Sequence, residues 1–325
     1  MNLIEMISGF AISYILTYIA YPRWINYLNT KNIMQITSEY ALSEYQEKQK
    51  TPMFGGVLFV VIPAILLILY FNFALEVSTM LAMFVFLGYF LLGVVDDYKI
   101  AKEGKNDGLP VKLRFFTQLV IAVLFMLAAL TLITSMISIP LPMMGYFILV
   151  VPIPVYVVFG VFVMVASVNS VNITDGMDGL AAGVSLLIMF GLGIISYHYQ
   201  QFQLAMLAFM LVGSLLGYLK YNVFPAKIFM GDGGSLALGG LMAAYAILLK
   251  VEIAYVFLAG VLIWETGCVV IQQIAVRVFK KRVFAYTPIH YSFSLAGWKE
   301  TSVVQFIWLL GLIFLVLGLW SALWV

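Results

Sequence analysis

Charge is what this sequence has least of. Charged residues fill 10% of its 325 positions, where soluble domains carry about 25%. With 64% hydrophobic residues and a mean hydropathy of +1.06, that shortage excludes a soluble domain and requires a polytopic membrane protein. Cysteine is nearly absent too. Cys268 is the single one, which excludes an intramolecular disulfide or a cysteine-based metal cluster. Lying inside an apolar run, it reads as a small buried hydrophobe. There are two histidines, His198 and His290, so a multi-histidine zinc centre is excluded. A net charge of +2 gives no footing for nucleic acid. The first apolar run has Glu5 near its start and no basic segment before it, so it reads as a retained span and not a cleaved leader. Internal repeats and low-complexity segments are not visible.

Apolar runs, by contrast, fill the chain, most of them near the roughly 20 residues that cross a bilayer. They are Leu3 to Tyr21, Gly56 to Phe73, Thr79 to Val95, Phe115 to Ile133, Phe147 to Val165, Leu180 to Tyr197, Phe202 to Leu219, Leu236 to Leu249, Ala254 to Val276, and Val303 to the end. Pro152 and Pro154 are expected to kink the start of the fifth. The eighth is short and the ninth carries Glu265, a lone mid-span acid that either pairs structurally or serves function. The expected fold is all-α: a polytopic integral membrane protein of about ten transmembrane helices, forming one transmembrane domain over residues 1–325.

Of the 17 lysines and arginines, all but Lys250 fall on one set of connections. By the positive-inside rule that side is cytoplasmic, and an even number of spans puts both termini outward. The six aspartates, Asp96, Asp97, Asp107, Asp175, Asp178 and Asp232, lie on the same side. The charge rule does not predict this. Five of them sit at span ends, so the sequence points to a polar pocket at the cytoplasmic membrane edge.

The densest polar stretch is Ser167-Val-Asn-Ser-Val-Asn-Ile-Thr-Asp-Gly-Met-Asp-Gly-Leu180. Asx residues and glycine suit a tight connection. Capping of the next helix accounts for one Asp, but not for Asn169, Asn172, Asp175 and Asp178 together. Asp96 and Asp97 end the third span; adjacent on a helix, they point about 100° apart and divide roles. The segment Asn222 to Ser235 carries Asp232 among Gly231, Gly233 and Gly234, which permit close backbone approach to a ligand. Pro288 to Trp298 supplies His290, whereas His198 reads as a surface histidine. Hard carboxylates among basic residues suit Mg²⁺ and a diphosphate. The inventory points to phosphoryl transfer on an anionic, nucleotide-like substrate.

Val94-Val-Asp-Asp-Tyr-Lys99, Asn169 to Leu180, Pro225-Ala-Lys-Ile-Phe-Met-Gly-Asp-Gly-Gly-Ser235, Pro288-Ile-His290 and Lys48-Gln-Lys-Thr-Pro-Met-Phe-Gly-Gly56 resemble the polyprenyl-phosphate N-acetylhexosamine-1-phosphate transferases, in particular their peptidoglycan branch. The resemblance runs in order over nearly the whole chain. It implies that undecaprenyl phosphate attacks UDP-N-acetylmuramoyl-pentapeptide, giving lipid I and UMP with Mg²⁺ as cofactor. Carried over position by position, it implies Asp232 at the metal, Asp96 and Asp97 at the lipid phosphate and His290 at the substrate. It also implies Phe229 stacked on uracil and Asn172, Asp175 and Asp178 on the nucleoside side, with Asn222, Lys48, Lys112 and Arg114 completing the pocket. A homodimer in the bacterial inner membrane is what it suggests for assembly and location. The chain departs from the family at His290-Tyr-Ser-Phe-Ser294, where three successive histidines and Phe-Glu are usual, at Lys50 for a usual Gly and at Phe54 for a usual Met.

The nearest alternative is a UDP-N-acetylglucosamine-1-phosphate transferase for another cell-surface polymer. A secondary transporter would put its polar groups near the midplane of repeated halves, whereas here the acids cluster on one face and no halves match.

Overall fold

The computed structural model describes residues 1–34, 51–104, 108–141 and 145–323. Lys48, Lys50 and Asp107 lie outside them. The elements run α1 (Leu3–Thr30), α2 (Gly56–Tyr70), α3 (Val77–Glu103), α4 (Val111–Ala129), β1 (Met136–Leu141), β2 (Gly145–Val150), α5 (Ile153–Thr174), α6 (Leu180–His198), α7 (Phe202–Asn222), α8 (Gly231–Leu248), α9 (Glu252–Leu258), α10 (Gly260–Ile274), α11 (Ile289–Leu295) and α12 (Glu300–Leu323). Backbone polar groups in hydrocarbon find no water, so an apolar run satisfies them internally by coiling.

Eight helices among the described residues are long and apolar enough to cross a membrane: α1, α3 to α7, α10 with its continuation to Phe279, and α12. The second and eighth apolar runs form α2 and α8. At 15 residues, α2 is only about 22 Å long. The protein is therefore an all-α membrane protein with one small β element. In its middle, α7 and α8 are buried along nearly their whole length, and more peripheral helices such as α1 and α4 turn apolar side chains outward.

Three runs differ from their sequence reading. Phe147 to Val151 do not begin the fifth span: β2 pairs antiparallel with β1 from Met136↔Val150 to Leu141↔Gly145, and α5 starts at Ile153. Pro152 and Pro154 mark a helix start, not a kink, because the first turn has no use for their missing N–H groups. The ninth run breaks at Ala259 into α9 and α10. There Gly260 lies against the Phe314 ring, where a Cβ would come within 2.4 Å of it. The first run does not stop at Tyr21; α1 continues through Pro22 to Thr30.

That continuation matters for the site. Tyr21 donates its hydroxyl to Gly55 O (2.8 Å), and Trp24 Nε1 donates to Phe54 O (3.1 Å). The segment so held pairs with the one before α8: Phe229 N donates to Pro52 O (2.9 Å), Gly55 N to Phe229 O (2.7 Å) and Gly56 N to Met230 O (2.8 Å). Two motifs about 175 positions apart thus form one strand-like seam at the entrance to α8.

Candidate active site

Four helix ends meet at one end of the bundle: the C-termini of α3 and α5 and the N-termini of α4 and α8. Each brings one or more polar residues from an otherwise apolar helix. Asp97 of α3 accepts the backbone N–H groups of Asp232 (2.9 Å) and Gly233 (3.0 Å). These are orphan donors in the first turn of α8, whose own N-cap, Met230, offers no side-chain acceptor. A carboxylate suits that position doubly, because the helix dipole is positive there. Both Asp97 oxygens are engaged, and the residue is 2% exposed.

Asp96, its neighbour, turns elsewhere. Oδ1 accepts Leu109 N (2.7 Å) and Oδ2 faces Arg114 Nη1 at 3.6 Å. The two adjacent acids thus face different partners. Arg114 of α4 also donates from Nη1 to Asp232 Oδ2 at 2.7 Å. From α5, Asn172 donates Nδ2 to Asp232 Oδ1 (2.7 Å) and to Ser235 Oγ (3.0 Å), while its Oδ1 accepts Arg114 Nη2 (3.3 Å).

The close approach of α3 to α8 has a steric condition. A Cβ on Gly93 would lie 2.3 Å from the Asp232 carbonyl, and one on Gly231, which sits at φ +72°, would lie 2.5 Å from Asp97 Oδ2. Side chains at Gly233 and Gly234 would likewise meet Val94 and Phe59. These glycines admit the close approach of the neighbouring helices.

Beside Asp96, Arg114 and Asp232 lies a cavity of about 340 Å³. Gln118 and Asn169 form its polar floor, joined by a 2.9 Å hydrogen bond. Ile100, Val111 and Phe115 give it an apolar wall, of which Val111 and Phe115 are exposed. Arg114 Nη1 stands between the carboxylates of Asp96 and Asp232. A hard cation in that position would meet two hard oxygen donors, and Mg²⁺ completes its shell with water and phosphate oxygens. The pair therefore fits Mg²⁺, although no group of three or more His, Cys, Asp or Glu among the described residues could hold a metal by itself.

The remaining predicted residues form a second layer. The turn from Asp175 to Gly179 joins α5 to α6, as the Asx-Gly pattern predicts. Asp178 Oδ2 accepts Ala226 N (2.9 Å), and Asp178 N donates to Glu300 Oε1 (2.8 Å). Asn222 accepts Gly179 N (3.0 Å) and donates to Ile228 O (2.9 Å). These bonds tie the Asp175–Gly179 turn to the segment carrying half-buried Phe229. Lys112 is exposed. His290, in α11, is buried against Gly176, and its Nδ1 lies 3.1 Å from Glu265 Oε2. Cys268 is buried. Gln118 escaped the sequence reading, since a single polar residue in an apolar run carries no spacing signal; Ser235 stands at the end of a motif but is given no role there.

The glycosyl transferase family 4 model matches residues 77–250, a span from the start of α3 through α8. Curated relatives named phospho-N-acetylmuramoyl-pentapeptide-transferase match almost end to end. The one from Geobacillus sp. (strain WCH70) is 36% identical over 98% of both chains. That from Staphylococcus carnosus (strain TM300) is 38% identical over 95% of this chain and 97% of the relative. The Bacillus pumilus (strain SAFR-032) protein is 36% identical over 99% and 98%. With the acidic helix ends and the matched stretch coinciding, this chain belongs to glycosyl transferase family 4, among the phospho-N-acetylmuramoyl-pentapeptide-transferases.

Proposed function

We propose that the protein transfers phospho-N-acetylmuramoyl-pentapeptide from its UDP derivative to undecaprenyl phosphate, giving lipid I and UMP for peptidoglycan synthesis. The observation that carries this reading is the cavity at Asp96, Arg114 and Asp232. It is lined by carboxylates and a guanidinium together with the exposed apolar side chains of Val111 and Phe115. That combination suits a phosphate carried on a lipid tail. The basic side of the helix ends supports an active site on the cytoplasmic face of the bacterial inner membrane.

A phosphate oxygen of the lipid attacks the sugar-bearing phosphorus of the donor; the new P–O bond forms as the bond to UMP breaks. Asp96 faces the attacking phosphate, orienting it and accepting a proton from any monoprotonated form. Arg114 neutralises charge on the transferring phosphoryl oxygens. Asp232, with Asp96 opposite, is the residue that would hold Mg²⁺. When bound, the ion neutralises the diphosphate and polarises its oxygens. Asp97 holds the first turn of α8 so that Asp232 keeps its place, and Asn172 fixes the Asp232 carboxylate. Phe229 is the candidate stacking face for uracil, Asp175 and Asp178 lie on the nucleoside side, and His290 supports the turn that borders the substrate.

The test is UMP release in detergent with undecaprenyl phosphate and Mg²⁺. Release from UDP-N-acetylmuramoyl-pentapeptide, abolished in a folded Asp232→Asn variant because an amide ligates a hard cation poorly, is the expected result. Release from UDP-N-acetylglucosamine alone would assign the other polymer. Asp232→Asn activity near wild type at saturating Mg²⁺ would remove the metal assignment.

A further inference from the structure

Glu265 lies within the membrane-crossing helix α10 and is fully buried. A carboxylate at such a position is costly and is retained only with a partner or a role. Its Oε2 serves two groups of the first turn of α11: Ile289 N at 3.0 Å and His290 Nδ1 at 3.1 Å. The N-cap of that helix, Pro288, has no side-chain acceptor of its own. His290 is also fully buried, and its other ring nitrogen, Nε2, has no hydrogen-bond partner among the described residues. That nitrogen points at the Asp175–Gly179 turn, so closely that a Cβ on Gly176 would come within 2.4 Å of it. Tyr291 holds the same turn from α11 by donating its hydroxyl to Gly176 O at 3.1 Å.

The geometry points to Glu265 as a positioning residue that keeps the proton of His290 on Nδ1 and sets Nε2 against the Asp175–Gly179 turn, which the proposed substrate would border. Oε2 already accepts Ile289 N and so stands as an acceptor toward the ring, which makes the facing Nδ1 the protonated nitrogen. The partner of one ring nitrogen sets the chemistry of the other. Nε2 is thereby the nitrogen that faces the turn; buried against Gly176, it acts on a substrate bound over the turn through the turn itself. Glu265 itself touches no substrate. This role rests on the proposed function for its substrate, but not for its pairing.

Two histidines make the test direct. With ¹⁵N-histidine labelling of the full-length protein in detergent, a His198→Gln background leaves one imidazole signal. The expected wild-type spectrum has protonated Nδ1. Glu265→Met keeps the volume and removes the acceptor; it should move the proton to Nε2 and lower kcat for UMP release roughly 10- to 100-fold, the range seen when a histidine loses its orienting partner. The KM for the UDP-sugar should change several-fold less. Glu265→Gln retains an acceptor oxygen and should recover part of both signals, which also covers the case of a poorly folded methionine variant. An unprotonated Nδ1 in wild type, or kcat within about twofold of wild type in both folded variants, would overturn the role. If wild type releases no UMP, the substrate reading fails, and the tautomer alone decides whether the pairing stands.

Discussion

Replacing each of the adjacent acids by asparagine should separate support from chemistry. Asp97 accepts two backbone N–H groups at 2.9 and 3.0 Å in a buried site. Asparagine offers one carbonyl oxygen, and its NH₂ would face the second N–H. One hydrogen bond to a charged group is lost, worth about 1.5–3 kcal/mol, and a buried donor is left unpaired. Loss of the negative charge at the start of α8 adds about 1–2 kcal/mol in a buried geometry. Together these are about 2.5–5 kcal/mol, so local opening of the first turn should become roughly 60- to 4,000-fold more frequent, at about 1.4 kcal/mol per factor of ten. Hydrogen exchange at the amides of Asp232 and Gly233, with the thermal midpoint in detergent, reads that change.

Asp96→Asn is a different perturbation. The bond from Leu109 N needs only one oxygen, which the amide supplies, so the fold should survive. The charge facing Arg114 and the cavity is lost, and kcat should drop about 10²- to 10⁴-fold, the range for a lost proton-transfer group. Unchanged exchange and midpoint in Asp97→Asn would refute the capping argument. Near-wild-type kcat in Asp96→Asn would refute its place at the attacking phosphate.

Two further outcomes are expected. Gly93→Ala places a methyl 2.3 Å from the Asp232 carbonyl, so α3 and α8 must separate; the thermal midpoint should fall and UMP release should be lost even at high Mg²⁺. A midpoint equal to wild type would mean that the two helices tolerate a wider spacing. Phe229→Ala should weaken binding of a uridine nucleoside inhibitor roughly 5- to 150-fold, equivalent to about 1–3 kcal/mol of base stacking. Phe229→Trp should retain most of it, and equal calorimetric affinities for wild type and the alanine variant would leave the uracil contact unassigned.

The spans were legible because a bilayer imposes a length and a composition that apolar runs meet one by one. The hairpin was not. Tyr146-Phe-Ile-Leu-Val-Val151 is continuous apolar sequence with no period to tell strand from helix, and only Pro152 marks where coiling begins. The break at Ala259 was equally silent, since the Phe314 ring that packs on Gly260 beside it comes from α12, far along the chain. The acidic site was legible because carboxylates at span ends stand out in so apolar a chain. Roles within it were not. Nothing in Asp96-Asp97 says which side chain turns toward α8, and the glycines around Asp232 read the same whether they admit a ligand or a helix. Glu265 was visible as an anomaly, but its partner lies 25 positions away in a loop-borne helix.

One physical problem links these misses. A soluble helix is usually capped by a Ser, Thr, Asp or Asn beside it in sequence, and such a cap stabilises that helix alone. Here two helices whose N-termini carry site residues, α8 with Asp232 and α11 with His290, have Met230 and Pro288 at the cap position and no local side-chain bond. Their first-turn donors are met instead by Asp97 from α3 and Glu265 from α10. A carboxylate reaching from another helix satisfies the same N–H groups and also sets the spacing between two helices, which apolar packing in lipid would leave adjustable. The energetic cost of a buried acid in a chain with so few charges then becomes intelligible, because each holds in register a helix start that carries a residue of the proposed site. Asp97 and Glu265 are arranged alike, so removal of either should loosen one of these helix ends without disturbing the other.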